Sequence, residues 1–471
     1  MPREIRTLPL AALGILLAAC NTASTRTPYL SNANGAVSPA GPAGSTVLLL
    51  GFSFLDAQGA GRVLFTPSGG GASLPATIVS WADGSIVATV PTAAAGLYAV
   101  NVQNGDGITS GGLVFAVLPT VTFNTSSLTW SAGPNLPGAV SGAGVAFAQI
   151  VGGSGYVYAV GGAGAGGAPV ATVSYASVNT NGTLGAWSAT TALPMALEFP
   201  AAVAATQRNS AVITAGFLYA LGGSTSAAGT PVSAVYRAPI NADGSLGTWV
   251  TATALPAPLR SVGAMVQYGS LYVIGGATTG NAAVATAYRS PIQVAGDVTW
   301  KTQTALPSAR ARFGFGAYGL YLYAFGGDST ALLPNDTIGG AKRLAQIVYA
   351  KLNPSSRDIT TWTTATTALP DARSAHPALL GAGSVLLAGG LYSGASTHTS
   401  EATYAPLNAD GSVGSFTTAS PVTSINSLCS CNLFNQGGTG YLAGDGTFHV
   451  LIVGGDDLGA PGTPRLGTYT Y

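Results

Sequence analysis

A chain of 471 residues with 47% hydrophobic and only 7% charged residues can hold more than one core, yet its composition is not that of a membrane bundle. Glycine alone supplies 66 residues, short apolar runs are cut by Gly pairs, and no run after residue 20 reaches the ~18 apolar residues a spanning helix needs. Lys plus Arg number 17 against 16 Asp plus Glu, and so even a balance exerts no general pull on nucleic acid or anionic lipid.

Residues 1–19 read as an export signal, with Arg3 and Arg6 ahead of an apolar run from Leu8 to Ala19 that is too short to span stably. The small residues before Cys20, in Leu17-Ala18-Ala19-Cys20, resemble a bacterial lipobox. That resemblance implies a mature chain acylated at Cys20, exported, and lipid-anchored to a bacterial membrane on its periplasmic or cell-surface side. The alternative is an ordinary signal peptide with an incidental Cys. Several acyl chains at ~0.8 kcal/mol per buried CH₂ anchor stably. Residues 20–36 are then expected to be the lipidated Cys and a polar tether.

Residues 37–119 alternate apolar and polar positions in short runs such as TVLLLGFSF, RVLFTP, TIVSWADGSIVATVP and GLYAVNVQN, broken by Gly, Pro and Asp-Gly. This predicts a small β-sandwich. Its landmarks, including Gly51, Phe54, Trp81, Val90-Pro91, Gly96, Tyr98, Gly107 and Phe115, resemble the IPT/TIG family of immunoglobulin-like domains, which often act as spacers or interaction modules.

Residues 120–471 have a beat. Gly pairs fall at 161–162, 222–223, 275–276, 326–327, 389–390 and 454–455, about 59 residues apart, each after an apolar run such as YVYAV or YLYAF. A Tyr follows each pair (Tyr175, Tyr236, Tyr288, Tyr349, Tyr404, Tyr469), then an aromatic (Trp187, Trp249, Trp300, Trp362, Phe416), then Leu-Pro at 193, 255, 306 and 369. The pattern resembles the Kelch repeat and implies an all-β chain in which a small immunoglobulin-like β-sandwich precedes a six-bladed Kelch-type β-propeller. The last repeat stops after Tyr469 with no fourth strand, while Trp130 has no strands ahead of it. Residues near 125–131 should therefore complete the sixth blade and leave no open edge.

NADGSLGTW at 241–249 returns as NADGSVGSF at 408–416 and as NTNGTLGAW at 179–187. Asn-x-Asp-Gly hints at a calcium loop, but the further ligands and closing Glu of that motif are missing. Between the Tyr and Trp strands it reads as a hairpin turn whose Gly supplies positive φ.

The crossings after Leu-Pro carry most of the charge: LPMALEFP with Glu198, LPAPLRS with Arg260, LPSARARFG with Arg310 and Arg312, and LPDARSAHP with Asp371, Arg373 and His376. An enlarged loop in the fourth repeat adds Asp328, Asp336, Lys342 and Arg343. Arg260, Arg310 and Arg373 are expected at equivalent crossings along one arc of a channel mouth. Arginines there either grip an anionic ligand bidentately or cap loop carbonyls. The ligand-binding candidates are Arg260, Arg310, Arg312, Arg373, His376 and Glu198. No cofactor and no metal is expected: P-loop, GxSxG and HExxH motifs are missing, and GAGAGGA at 162–168 opens no helix. Cys429 and Cys431 read as free thiols, a strained disulfide, or part of a metal site.

Two precedents among Kelch-type propellers bear on chemistry. Galactose oxidase pairs such a propeller with immunoglobulin-like modules, but its copper site needs two His, two Tyr and a Cys, and this chain's three His are scattered at 376, 398 and 449, with His449 in a strand. A six-bladed Kelch sugar mutarotase is the closer likeness, and acid-base ring opening would use Glu198 with Arg260. The sequence favours a lipid-anchored binding or structural protein whose propeller face meets a glycan, cell-wall component or envelope protein. The alternative is a carbohydrate-active enzyme of the mutarotase type.

Overall fold

The computed structural model describes residues 27–33, 40–118, 128–149, 155–206, 216–226, 229–293, 295–330, 343–381, 383–392, 401–419, 437–442, 448–454, 456–457, 460–461 and 465–469. These residues form strands, turns and extended connections without a helix, so none is long and apolar enough to cross a membrane. The chain is all-β, built largely from four-stranded antiparallel sheets in a propeller-like arrangement.

The N-terminal part has two sheets. One orders Tyr29–Ala33, Thr46–Phe52, Ser85–Thr89 and Thr77–Ala82; the other orders Ala40–Pro42, Leu113–Leu118, Gly96–Gln103, Arg62–Pro67 and Leu74–Pro75. Val47, Leu49 and Ile86 from the first, with Phe54 just beyond its strand, share one core with Phe65, Val100 and Phe115 from the second. The strand at Tyr29–Ala33 corrects the expected tether of residues 20–36, because it pairs antiparallel with Thr46–Phe52 and buries Leu30 and Ala33. Overall polarity hid it, since burial needs only one side of a strand to be apolar.

The unbroken LLL of Thr46–Phe52 has a physical reason as well. Leu49 faces the shared core, whereas Leu48, with Val87, packs into a second cluster with Tyr268, Tyr272, Leu320 and Leu322 of the later sheets. A strand buried on both faces needs a continuous apolar run.

Five later sheets take their strands in chain order, opening with Gly144–Gln149, Ala201–Ala205, Gly263–Gln267, Gly314–Tyr318 and Ala378–Gly381. The remaining four-stranded one orders Leu128–Ala132, Arg465–Tyr469, Phe448–Val453 and Gly437–Leu442, with Leu128 opposite Tyr469 and Ala132 opposite Arg465. Its fourth strand thus comes from the far end of the region; residues 125–127 lie outside the described residues. The opening strands pack on one another in succession, and Gly437–Leu442 lies against both Ala378–Gly381 and Gly144–Gln149. Such crowding demands small residues: a Cβ on Gly316 would stand 2.4 Å from Leu380 Cδ1.

At the second Gly pair, Gly222 and Gly223 hold φ of 59° and 101°, and a Cβ on Gly222 would meet the Leu259 carbonyl at 2.3 Å. The repeated Asn-x-Asp/Asn-Gly segments are hairpin turns, and they also join neighbouring sheets. Asp243 Oδ1 accepts from the Ser245 amide at 3.0 Å and hydroxyl at 2.7 Å, while the Gly244 carbonyl accepts the Tyr158 hydroxyl of the preceding sheet at 2.7 Å. Tyr219 donates likewise to Gly296 at 2.6 Å, and Tyr441 to Gly182 at 2.7 Å.

Candidate functional site

The crossings after Leu-Pro converge on one cavity, and backbone hydrogen bonds fix their register. The second Gly of each of the first four pairs donates to the crossing: Gly162 to Leu197 at 2.8 Å, Gly223 to Leu259 at 2.9 Å, Gly276 to Arg310 at 2.9 Å and Gly327 to Arg373 at 2.8 Å. Leu197, Leu259, Arg310 and Arg373 are therefore equivalent. Two residues further on, Gly142, Phe199, Ser261, Arg312 and Ala375 all adopt left-handed φ, from 50° to 61°. They are stitched together by their own backbones: Phe199 N–H donates to Gly142 C=O at 2.9 Å, Ser261 to Phe199 at 3.3 Å, Arg312 to Ser261 at 3.3 Å and Ala375 to Arg312 at 2.7 Å. Side-chain-bearing residues pay on the order of 1 kcal/mol for this conformation, and the amide bonds from one crossing to the next hold them there.

These left-handed residues and their successors (142–143, 199–200, 261–262, 312–313, 375–376) line a cavity of about 130 Å³. The register corrects one expectation. Arg260, Arg310 and Arg373 do not occupy equivalent positions: Arg260 falls one residue after the place shared by Arg310 and Arg373, and of the candidate arginines only Arg312 lines the cavity.

Arg310 is fully buried and spends its donors on protein. Nη1 donates to the carbonyls of Ala324 (3.5 Å), Gly326 (3.2 Å) and Gln346 (3.3 Å), and Nη2 to Ser308 Oγ (3.0 Å) and Gln346 Oε1 (2.7 Å). Burial lowers its pKa to about 10. Arg373, also fully buried, donates to the Tyr392 hydroxyl and stacks on that ring at 4.6 Å, and the hydroxyl donates on to Glu401 Oε2 at 2.9 Å. Burial lowers the Arg373 pKa, while Tyr392, Glu401 and Asp371 raise it.

Arg312 grips the fully buried Asp328, with Nε at 2.8 Å and Nη2 at 2.7 Å from Oδ2, and Arg343 Nε stands 3.9 Å from Oδ1. Arg343 also donates to the Tyr392 carbonyl at 2.8 Å. Arg260 donates to Asn281 Oδ1; burial first and the Arg312 charge second depress its pKa, and Glu198 opposes them. Glu198 is buried immediately before Phe199, as Arg260 is immediately before Ser261, and the Glu198 charge acts on that guanidinium.

His376 lines the cavity at 4% exposure, and neither ring nitrogen makes a hydrogen bond of good geometry. Burial, then the Arg373 charge, push its pKa down to about 3, so the imidazole is neutral near pH 7. His449 instead stacks on Tyr441 at 5.6 Å, close against Gly182. Among the described residues no three His, Cys, Asp or Glu gather as a metal site. Cys20, Asp336, Lys342, His398, Cys429 and Cys431 lie outside the described residues.

Phe199 and Ser261 went unread in the sequence, although a signal was present. Counting six residues on from the Leu of each Leu-Pro (136, 193, 255, 306, 369) lands on Gly142, Phe199, Ser261, Arg312 and Ala375. Charge drew the eye, whereas position in the repeat marks the cavity.

By architecture this is an all-β, propeller-like protein with a cavity of mixed polarity at the sheet crossings. No protein-family model matches the chain, and no curated protein matches it. Among solved structures it is similar to one titled "Structure of YjhT", at 13% sequence identity and a TM-score of 0.49, over 72% of this chain and 96% of that one.

Proposed function

We propose that the six later sheets form a closed six-bladed Kelch-type propeller behind an IPT/TIG-like sandwich, and that the crossing cavity is the working site of a carbohydrate-active enzyme of the mutarotase type. One observation carries the reading: five crossings bring Ser261, Arg312 and His376 to a single cavity, with Glu198 and Arg260 each immediately before one of its lining residues. Convergence of a hydroxyl, a guanidinium and an imidazole on one small cavity suits a sugar-processing site better than a broad docking face.

In mutarotation the anomeric hydroxyl loses its proton, the ring C–O bond breaks and the ring oxygen gains a proton, giving the open aldehyde. Rotation about the C1–C2 bond and reclosure give the other anomer. In this reading Glu198 is the proton carrier: its carboxyl, which does not line the cavity, would turn into it to exchange one proton with either oxygen, and Arg260 stabilises its ionised form. Export and lipid anchoring at Cys20 belong to the same reading and set the enzyme at the bacterial envelope, with no nucleic-acid partner.

The test is anomer equilibration followed by polarimetry and exchange NMR on freshly dissolved glucose, galactose and N-acetylglucosamine. Acceleration over buffer that falls by roughly 10²–10⁴ in Glu198→Gln is the expected result. No acceleration by the wild type with any of the three overturns it.

A further inference from the structure

The cavity is two-sided. Gly142, Ala143, Phe199 and Pro200 make a wholly apolar arc, whereas the other arc interleaves Ser261, Arg312 and His376 with Val262, Phe313 and Ala375. Two polar members of that arc hold buried capacity: Ser261 Oγ has no hydrogen-bond partner, and the His376 ring, at 4% exposure, has only the Ser374 backbone. A buried polar atom without a partner costs about 1–3 kcal/mol, so such atoms beside a cavity mark a place where another molecule completes the set.

Charge indicates what kind of molecule. Arg312, the arginine on the wall, already has two nitrogens on Asp328, which Arg343 also approaches. Arg260 has Asn281 and the Glu198 charge, and Arg373 has Tyr392 and Glu401. Each of these guanidiniums thus has a carboxylate charge acting on it, although Arg373 Nε and Nη1 make no hydrogen bond, and the balance of charge favours a neutral ligand. What is left on the cavity wall is a set of aromatic rings, Phe199 and Phe313, with a hydroxyl and an imidazole. A pyranose matches that set, with carbons on one face to lie against an aromatic ring and hydroxyls around its edge.

We propose that the cavity is a subsite for one neutral, hydroxyl-bearing sugar ring, with Phe199 against its carbon face and with Ser261 Oγ and the His376 ring each hydrogen-bonded to one of its hydroxyls. This rests on the reading of the cavity as the working site, and names its substrate class. It departs from an anionic ligand, the expectation that the arginine content alone suggests.

The experiment is saturation-transfer NMR and titration of the full chain with glucose, galactose and N-acetylglucosamine, and with glucuronate as the charged comparison. At least one neutral sugar is expected to bind, and more tightly than glucuronate. Ser261→Ala should weaken that binding about 3- to 10-fold and His376→Phe about 10-fold or more, with Ser261→Ala melting as the wild type does. Ser261→Ala is the safeguard should His376→Phe fold poorly. Glucuronate binding more tightly than every neutral sugar, no neutral sugar binding, or unchanged affinity in Ser261→Ala would each overturn the proposal. Neutral-sugar binding that the variants weaken, without anomer acceleration, supports this subsite and refutes the enzymatic reading alone; anomer acceleration with unaltered affinity in the variants does the reverse.

Discussion

His376 should make the protein lose stability in mild acid, and the amount follows from its surroundings. The ring is buried beside the cavity with Arg373 as its nearest charge and Arg312 on the same wall, and its pKa falls from 6.5 to about 3. Because the folded value is depressed, the unfolded chain takes up a proton that the folded chain refuses. Stability from this residue is therefore level above pH 6.5, declines as pH falls from 6.5 to about 3, and declines no further below that. At 1.36 kcal/mol per pH unit, moving from pH 7 to pH 4 costs about 3 kcal/mol. Urea unfolding of the wild type and His376→Gln at both pH values isolates the residue, since every carboxylate titrates alike in the two proteins. The wild type should lose about 3 kcal/mol more than the variant. Parallel losses, within about 0.5 kcal/mol, would show that the folded protein admits the proton and that the cavity hydrates the ring.

Arg310→Met should lower stability by about 3 kcal/mol in calorimetry, because it strips three buried carbonyls of a donor; no change in melting would mean that water takes over. Asp328→Asn should cost a similar ~3 kcal/mol by leaving Arg312 buried without its carboxylate, and combining it with Arg312→Met should cost less than the two separately; additive losses would refute the pairing. Gly244→Ala should cost about 2 kcal/mol, since φ is 82° there and the new Cβ would stand 2.2 Å from the Tyr156 ring, and a neutral outcome in thermal melts would remove the inter-sheet role of the turn. Deleting residues 120–132 should expose the edge of the Arg465–Tyr469 strand and lower the melting temperature by several degrees or cause aggregation, whereas an equally stable truncated protein would mean that the Leu128–Ala132 pairing contributes nothing.

The strand pattern was legible because it is written in period and punctuation. Apolar runs before Gly pairs became the second strands of the sheets, and Trp130 with Tyr469 announced the pairing of Leu128 with Tyr469. The Tyr29–Ala33 strand was not legible, because two inward residues in a polar run leave no pattern to count. In the candidate site, Arg310 and Arg373 were found by charge, yet composition is silent on whether a guanidinium faces a cavity or a set of carbonyls. That depends on a one-residue register, and the register is set by amide bonds from the Gly pairs, which have no side-chain signature.

The frame of the cavity is made of peptide groups. Its left-handed residues hold one another through N–H and C=O, and Gly, Phe, Ser, Arg and Ala occupy the five equivalent places among the described residues. The opening therefore behaves as a socket of fixed gauge with interchangeable inserts. A single-codon change at any of these places would alter what the socket accepts without altering its bore, provided the new residue tolerates positive φ; a β-branched insert would not. Selectivity in this architecture can then drift one crossing at a time while the sheets around it stay as they are.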